Sequence, residues 1–194
     1  MGLTMKKTKF EKCEYGYLNW QKRRQLLAVM VQILIAVAIF LIGYVLNDNS
    51  NKNVFTIIAV LFVLPMAKHL VTVIILLPYR TPSAELYETV MNTARADAFV
   101  FSDYVFTSQE KVMYLSSMVV QGDEMIGLVG REKENVSYIK SYLERSMKQR
   151  NLPYKITICT EEATYLRKIK ETVSEAEEEA ILMEALEFLR AGAV

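Results

Sequence analysis

Apolar residues are concentrated in two blocks in the first half of the chain. Residues 26–46 form an apolar run in which Gln32 is the only strongly polar side chain. An α-helix of about 20 such residues crosses the hydrocarbon core of a bilayer and satisfies its own backbone hydrogen bonds there. Trp20 and the basic residues 22–24 precede the run, as is typical of interface anchors. The pattern predicts a first transmembrane span.

The second apolar block is interrupted by a pair of ionisable residues. Apolar residues occupy positions 54–67 and 70–79, with Lys68 and His69 between them. Pro65 is expected to kink or break the helix there, because it lacks a backbone N–H. Two geometries follow. Lys68 reaches the headgroups while the residues after it lie along the interface. Alternatively, the helix continues and both residues face a bundle interior or a wet cavity.

Ionisable and polar residues inside a span are candidates for function. Lys68 and His69 are such candidates in the second span, and simple snorkelling is the alternative for the lysine. Gln32 in the first span is a candidate for a hydrogen bond to the second helix or a neighbouring subunit, and a single tolerated polar residue that faces its partner helix is the alternative.

The distribution of charge predicts the orientation of the two spans. Residues 1–24 hold seven basic and two acidic side chains, whereas the polar connector 47–53 holds one basic residue. The positive-inside rule therefore places both the N-terminus and the residues after the second span in the cytoplasm. We expect a bacterial-type plasma (inner) membrane protein with a basic arm (1–24), a two-helix membrane unit (25–79) and a cytoplasmic domain (80–194).

The pattern after residue 80 changes from continuous apolar runs to short strands and amphipathic helices. A helix is predicted from about residue 84 to 96, and three antiparallel strands within 97–129. An amphipathic helix is then expected from about Glu132 to Arg150, a strand over 154–159, and one or two further helices. The predicted fold class is thus a two-span helical hairpin followed by a small α/β domain with a mixed sheet of about four strands.

Charge and composition narrow the partners of this domain. Residues 80–194 carry a net charge of −5, which argues against binding of nucleic acid. The helix over 131–150 is nevertheless basic, so Arg131, Lys133 and Lys140 are candidates for contact with a membrane surface or an anion. A contact with the acidic C-terminal tail and an ordinary solvated face are the alternatives.

Catalytic and metal signatures are missing from the domain sequence. The only histidine of the chain is His69, so the domain cannot host a histidine-based triad or a histidine-ligated zinc. Its single cysteine, Cys159, excludes a four-thiolate site within one copy. We therefore expect no catalytic residue, no metal and no cofactor.

The order helix, three strands, helix, strand over about residues 84–160 resembles the core of restriction-endonuclease-like nucleases. The resemblance implies an acidic residue on one strand and a Glu-x-Lys pair on the next, which hold a divalent metal. Asp103 and either Asp123 or Glu124 stand near such positions, but Glu124 is not followed by a lysine two residues later. The resemblance thus implies at most a degenerate, non-catalytic relative.

Three functional hypotheses remain open. The first is a non-catalytic cytoplasmic module that binds a protein or a small ligand beside the lipid bilayer. The second is an oligomeric pore or transport component gated by the domain, with Lys68, His69 and Gln32 near the conduction path; homo-oligomerisation is expected in that case and plausible in the first. The third is the degenerate nuclease-like domain.

Overall fold

The computed structural model describes residues 11–47, 50, 54–108, 110–130, 134–172 and 179–194. The chain forms two compact units. One unit consists of residues 19–78. The other combines the residues up to Leu18 with those from Tyr79 onwards.

The unit of residues 19–78 is built from three helical segments: α1 (Tyr17–Leu46), whose first turn lies in the other unit, α2 (Val54–Leu61) and α3 (Val63–Leu76). α1 has 30 residues, and α2 with α3 makes a second stretch of 23 residues. Both are long and apolar enough to cross a membrane by length and composition.

The interruption of the second stretch lies at Phe62, one turn before its cause. Pro65 has no N–H to donate to the carbonyl of Leu61, so the regular hydrogen bonding lapses there. The irregularity expected from Pro65 is therefore present, and α3 then runs through Lys68 and His69 without interruption. This is the continuous geometry of the two considered, although the helix ends at Leu76.

The second unit contains a four-stranded mixed sheet. Its strands are β1 (Phe99–Thr107), β2 (Val112–Gln121), β3 (Glu124–Val129) and β4 (Lys155–Cys159), in the spatial order β1-β2-β3-β4. β1, β2 and β3 pair antiparallel, and β4 pairs parallel with β3. The predicted three antiparallel strands and the mixed sheet are confirmed.

Helices cover both faces of this sheet. They are α4 (Ala84–Thr93), α5 (Val136–Gln149), α6 (Glu162–Glu171) and α7 (Glu179–Gly192). α5 and α7 bury apolar side chains such as Leu143 and Leu189 in one core, with Met118 of the sheet. α4 and α6 bury Val90 and Tyr165 in a second core on the opposite face. Two cores arise because successive strand residues point to opposite faces.

Local signals explain where two of these helices begin. The Ser83 hydroxyl accepts a hydrogen bond from Leu86 N at 3.2 Å and caps α4. The Asn135 side chain accepts from Tyr138 N at 2.9 Å and caps α5. The described part of α5 therefore starts at Val136, four residues after the predicted start at Glu132.

Candidate functional site

The segment before α1 is an integral part of the α/β unit. The carbonyl of Cys13 accepts a hydrogen bond of 2.8 Å from the backbone N–H of Ser102 on β1. Lys12 Nζ donates to the carbonyl of Ala193 at 2.6 Å. Leu18 is 1% exposed. The N-terminal segment (residues 11–18) thus adds to the edge of β1 and buries apolar surface in this unit.

Asp103 fixes this segment in place. Its Oδ2 accepts hydrogen bonds from Gly16 N at 3.0 Å, Leu18 N at 3.2 Å and Thr81 Oγ1 at 2.9 Å. Gly16 and Leu18 flank the start of α1, where backbone N–H groups lack partners within the helix and the helix dipole favours a negative charge. Asp103 therefore caps α1 from a distant part of the sequence. We call this arrangement the Asp103 clasp.

An irregularity of the sheet directs the Asp103 side chain towards the clasp. Asp103 has a φ of 55°, in the left-handed region. The β1–β2 ladder skips Asp103 without a change of register, and the β2–β3 register shifts nearby, between Leu115 and Ser117. A left-handed residue within a strand takes its side chain out of the regular alternation of the pleat. Asp is one of the few non-glycine residues that tolerate this conformation.

The three carboxylates that the nuclease resemblance singled out have different partners. Asp103 belongs to the clasp. Asp123 Oδ2 pairs with Lys155 Nζ at 3.1 Å, and Glu124 Oε2 accepts from Thr172 Oγ1 at 2.7 Å. Within the described ranges, no group of three or more His, Cys, Asp or Glu side chains is gathered as metal ligands would be.

The candidates in the helical unit are Lys68, His69 and Gln32. Among the described residues, His69 alone of the three has a side-chain hydrogen-bond partner. His69 Nδ1 hydrogen bonds with Gln25 Oε1, which links α3 to α1. Lys68 is exposed, and its side chain makes no ion pair with the part of the chain that is described. Gln32 is partly buried, and its Oε1 has no hydrogen-bond partner among the described residues. Gln25 lies one residue before the apolar run, so the polarity pattern alone does not mark it as a residue of the span.

Of the three basic candidates in the helix at 131–150, Lys140 alone lies within the described residues. Arg131 and Lys133 lie outside the described residues. Lys140 pairs with Glu144 at 3.7 Å, one turn along α5, and about half of each side chain is exposed. Lys140 thus belongs to an ordinary solvated ion pair.

A cleft of about 550 Å³ opens elsewhere on the α/β unit, between α5, α7 and the connection from β1 to β2. It is lined by Thr107, Ser108, Glu110, Tyr138, Tyr142, Arg145, Ser146, Gln149, Arg150 and Phe188. Its volume lies within the range of about 300–1,000 Å³ that is typical of small-molecule sites. We call it the α5–α7 cleft.

Aromatic rings and hydroxyl groups organise the wall of this cleft. Tyr142 packs against Phe106 of the core at 5.8 Å between ring centroids, and its hydroxyl donates to the carbonyl of Thr107 at 3.4 Å. The hydroxyl of Tyr138 lies 2.9 Å from Ser108 Oγ. These contacts hold both tyrosine side chains against the β1–β2 connection, which pre-forms this wall.

The cleft is electropositive. Arg145 and Arg150 contribute two guanidinium groups against the single carboxylate of Glu110. Arg150 lies over the ring of Phe188 with its Cζ 4.5 Å from the centroid, and Lys111 Nζ lies 4.9 Å from the centroid of Tyr138. No described carboxylate forms an ion pair with either arginine. As far as the described residues go, both guanidinium groups are therefore open to an anion.

Neither thiol is placed for chemistry. Burial raises the pKa of Cys13 to about 12, an effect that the charges of Arg190 and Lys12 only partly offset. Burial likewise raises the pKa of Cys159. Because the thiolate is the reactive form, both behave as small buried apolar groups. Cys13 is therefore shielded from reagents as long as the unit is folded.

One feature of the sequence, the helical spacing of four polar and aromatic residues, indicates part of the cleft. Tyr138, Tyr142, Arg145 and Gln149 follow one another at helical spacings beside the apolar stripe of α5. Their meeting with Phe188, about 40 residues later, depends on how α7 packs and has no local signature. No family model, curated protein or solved structure matches this chain.

Proposed function

We propose that this chain is a two-pass inner-membrane protein whose cytoplasmic α/β unit is a non-catalytic binding module for a small ligand. The α5–α7 cleft is the binding site. The observation that carries the proposal is the presence, in one preformed cleft, of aromatic walls and two arginines that form no ion pair with the described carboxylates. Aromatic surface and polar groups that converge in one concavity are usual features of a ligand site.

Exposed apolar surface supports insertion into a membrane. Side chains such as Val45 and Leu64 are 71% and 69% exposed in the unit of residues 19–78. A continuous apolar surface of this kind is rare on proteins in water and is expected where lipid is the solvent.

The N-terminal segment supports an even number of crossings. Residues 11–18 and the residues from Tyr79 onwards belong to one compact unit, joined by the Asp103 clasp. Two parts of one folded unit must lie on the same side of a membrane, so the intervening residues 19–78 cross it twice. The excess of basic residues before the first span then favours the cytoplasmic side.

A thermal-shift screen on the full chain in lipid nanodiscs tests the binding module. Small molecules of acidic, basic and neutral classes are added, and a ligand at 100 times its Kd stabilises the folded state by about 2.7 kcal/mol. Ser146→Trp fills the cleft, whereas Ser137→Trp places the same bulk on an exposed position of α5. We expect at least one class to raise the Tm of the wild type and Ser137→Trp but not of Ser146→Trp. No response in the wild type, or an equal response in both variants, contradicts the proposal.

A second candidate function is an oligomeric pore or transport component. Two polar groups of the helical unit favour it, because neither the Lys68 ammonium nor Gln32 Oε1 has a partner among the described residues of a single chain. In lipid such groups are stabilised by a second copy or by water. Under this function Lys68→Leu changes ion flux through proteoliposomes, whereas Thr72→Val, one turn further along α3, leaves it unchanged. Equal flux in wild type and Lys68→Leu contradicts it.

A further inference from the structure

We infer that the α5–α7 cleft recognises a phosphate group carried by a small organic molecule. This inference rests on the proposed binding function and names the chemistry of its ligand. Its basis is the arrangement of cations, hydrogen-bonding groups and rings around the cleft.

The two arginines are presented in a way that suits an oxyanion. The face of the Arg150 guanidinium is covered by Phe188, and stacking of this kind leaves the N–H groups at the edge of the guanidinium plane free to donate. Arg145 is exposed at the cleft and lies on the same face of α5 as Tyr138 and Tyr142. A guanidinium fork matches the spacing of two oxygens of a phosphate or carboxylate.

The amount of positive charge favours phosphate over carboxylate. Besides the two arginines, Lys111 lies at the margin of the cleft, held over the ring of Tyr138 at 4.9 Å. Glu110, the one carboxylate in the lining, lies 3.5 Å from the hydroxyl of Tyr138. Three cations against one anion leave an excess of about two charges, and a phosphomonoester carries about −1.5 to −2 at pH 7.

The rest of the lining fits the organic part of such a ligand. The sides of Tyr138, Tyr142 and Phe188 are only partly buried and offer apolar surface, while Ser108 and Gln149 offer polar atoms. The volume of about 550 Å³ accommodates a molecule larger than free phosphate. The net charge of −5 over residues 80–194 opposes a long polyanion. The cleft thus favours a single phosphate group on a compact body.

Isothermal titration of the full chain in phosphatidylcholine nanodiscs tests the inference. The probes are adenosine monophosphate, glycerol 3-phosphate and inorganic phosphate, with adenosine, glycerol and benzoate as counterparts without phosphate. A second nanodisc with one fifth phosphatidic acid asks whether the phosphate group can come from a lipid headgroup. Arg145→Gln and Arg150→Gln remove the proposed donors, and Lys140→Gln is the matched control, because Lys140 lies on α5 outside the cleft and pairs with Glu144.

We expect at least one phosphomonoester, soluble or lipid, to bind at least about tenfold more tightly than its counterpart without phosphate. Each arginine variant should weaken that binding by about tenfold or more, consistent with the loss of a charge-assisted hydrogen bond, whereas Lys140→Gln should not. Equal affinity for benzoate or adenosine overturns the phosphate inference and leaves the binding module standing. Phosphate binding that survives in both arginine variants overturns it as well. Failure of every probe also overturns it, while the thermal-shift screen separately decides whether the cleft binds anything.

Discussion

The backbone N–H of Leu18 donates a hydrogen bond of 3.2 Å to Oδ2 of Asp103, across 85 residues of sequence. The same oxygen accepts from Thr81 Oγ1 at 2.9 Å. One carboxylate therefore binds the chain immediately before and shortly after residues 19–78. Since these contacts lie within one compact unit, the N-terminal segment and the α/β unit share a common side of any membrane that the intervening residues cross.

Removal of the Asp103 carboxylate should destabilise the α/β unit. Asp103→Ala deletes the acceptor of three hydrogen bonds and leaves alanine at a φ of 55°. We expect the free energy of unfolding of the full chain to fall by about 2–4 kcal/mol. Asp103→Asn keeps an acceptor oxygen and tolerates this φ, so its loss should be about 1 kcal/mol. Urea unfolding followed by near-UV circular dichroism measures the free energy of unfolding of both variants. An equal loss of stability in the two would contradict the role of the carboxylate in the clasp.

The thiol of Cys13 reports whether the N-terminal segment is docked. With its pKa raised to about 12, only about one thiol in ten thousand is ionised at pH 8. Alkylation by iodoacetamide should therefore be at least about 100-fold slower in the folded chain than in urea, and should accelerate as the pH rises towards 12. Mass spectrometry of the Cys13 peptide gives the rate.

The Asp103→Ala variant supplies the control for this labelling. Loss of the clasp should accelerate alkylation of Cys13 but not of Cys159, which is buried in the core on the other face of the sheet. Rapid labelling of Cys13 in the wild type would mean that the segment is not docked as described.

Gly130 is required by the close approach of a buried ring. A Cβ at this position would lie 2.1 Å from Cε1 of Tyr114, whose side chain is fully buried and whose hydroxyl donates to the carbonyl of Arg80. Gly130→Ala should lower the free energy of unfolding by about 1–3 kcal/mol. Gly192→Ala is the matched control, because its Cβ would meet no atom closer than 3.8 Å. Thermal unfolding of the two variants measures the difference. Equal Tm values would contradict the close packing of Gly130 against Tyr114.

The hydrogen bond between His69 and Gln25 should contribute to the pairing of α1 with α3. Polar pairs between membrane helices contribute about 0.6 kcal/mol on average and up to about 1.7. A double-mutant cycle of His69→Ala and Gln25→Ala, measured by unfolding in detergent, should give a coupling energy in this range. The same cycle for His69→Ala and Gln32→Ala should give none. Coupling of similar size in both cycles would show that the effect is not specific to the observed contact.

The sequence predicted those parts of the fold whose signals are local. Runs of aromatic and β-branched residues located the strands. The repeat of apolar residues at every third to fourth position located the amphipathic α5. Pro65 also predicted an irregularity in the second apolar stretch, although not its position one turn before the proline. The physical cause is that a proline removes the bond to the carbonyl four residues earlier, so the irregularity appears at Phe62.

The site depends on contacts between distant residues and was predicted only in part. The nuclease resemblance pointed to Asp103 as a metal ligand. Its observed partners, Gly16 and Leu18, lie 87 and 85 residues away in the sequence. No periodicity links such positions. The basic character of the helix at 131–150 was recognised, yet the selected Lys140 faces Glu144, whereas Arg145 and Arg150 line the cleft. Which basic residue meets a cleft is decided by the packing of α7, which the sequence pattern does not specify.

The central claim is that residues 19–78 cross the membrane twice and leave the α/β unit in the cytoplasm. Ser50→Cys places a thiol between the two apolar stretches, and Glu88→Cys places one on the exposed face of α4. Spheroplasts that express each variant of the full chain are treated with a membrane-impermeant maleimide, before and after permeabilisation. The account predicts that the Ser50→Cys thiol is labelled in intact spheroplasts and the Glu88→Cys thiol only after permeabilisation. Labelling of the Glu88→Cys thiol in intact spheroplasts, or protection of both thiols until permeabilisation, would contradict it.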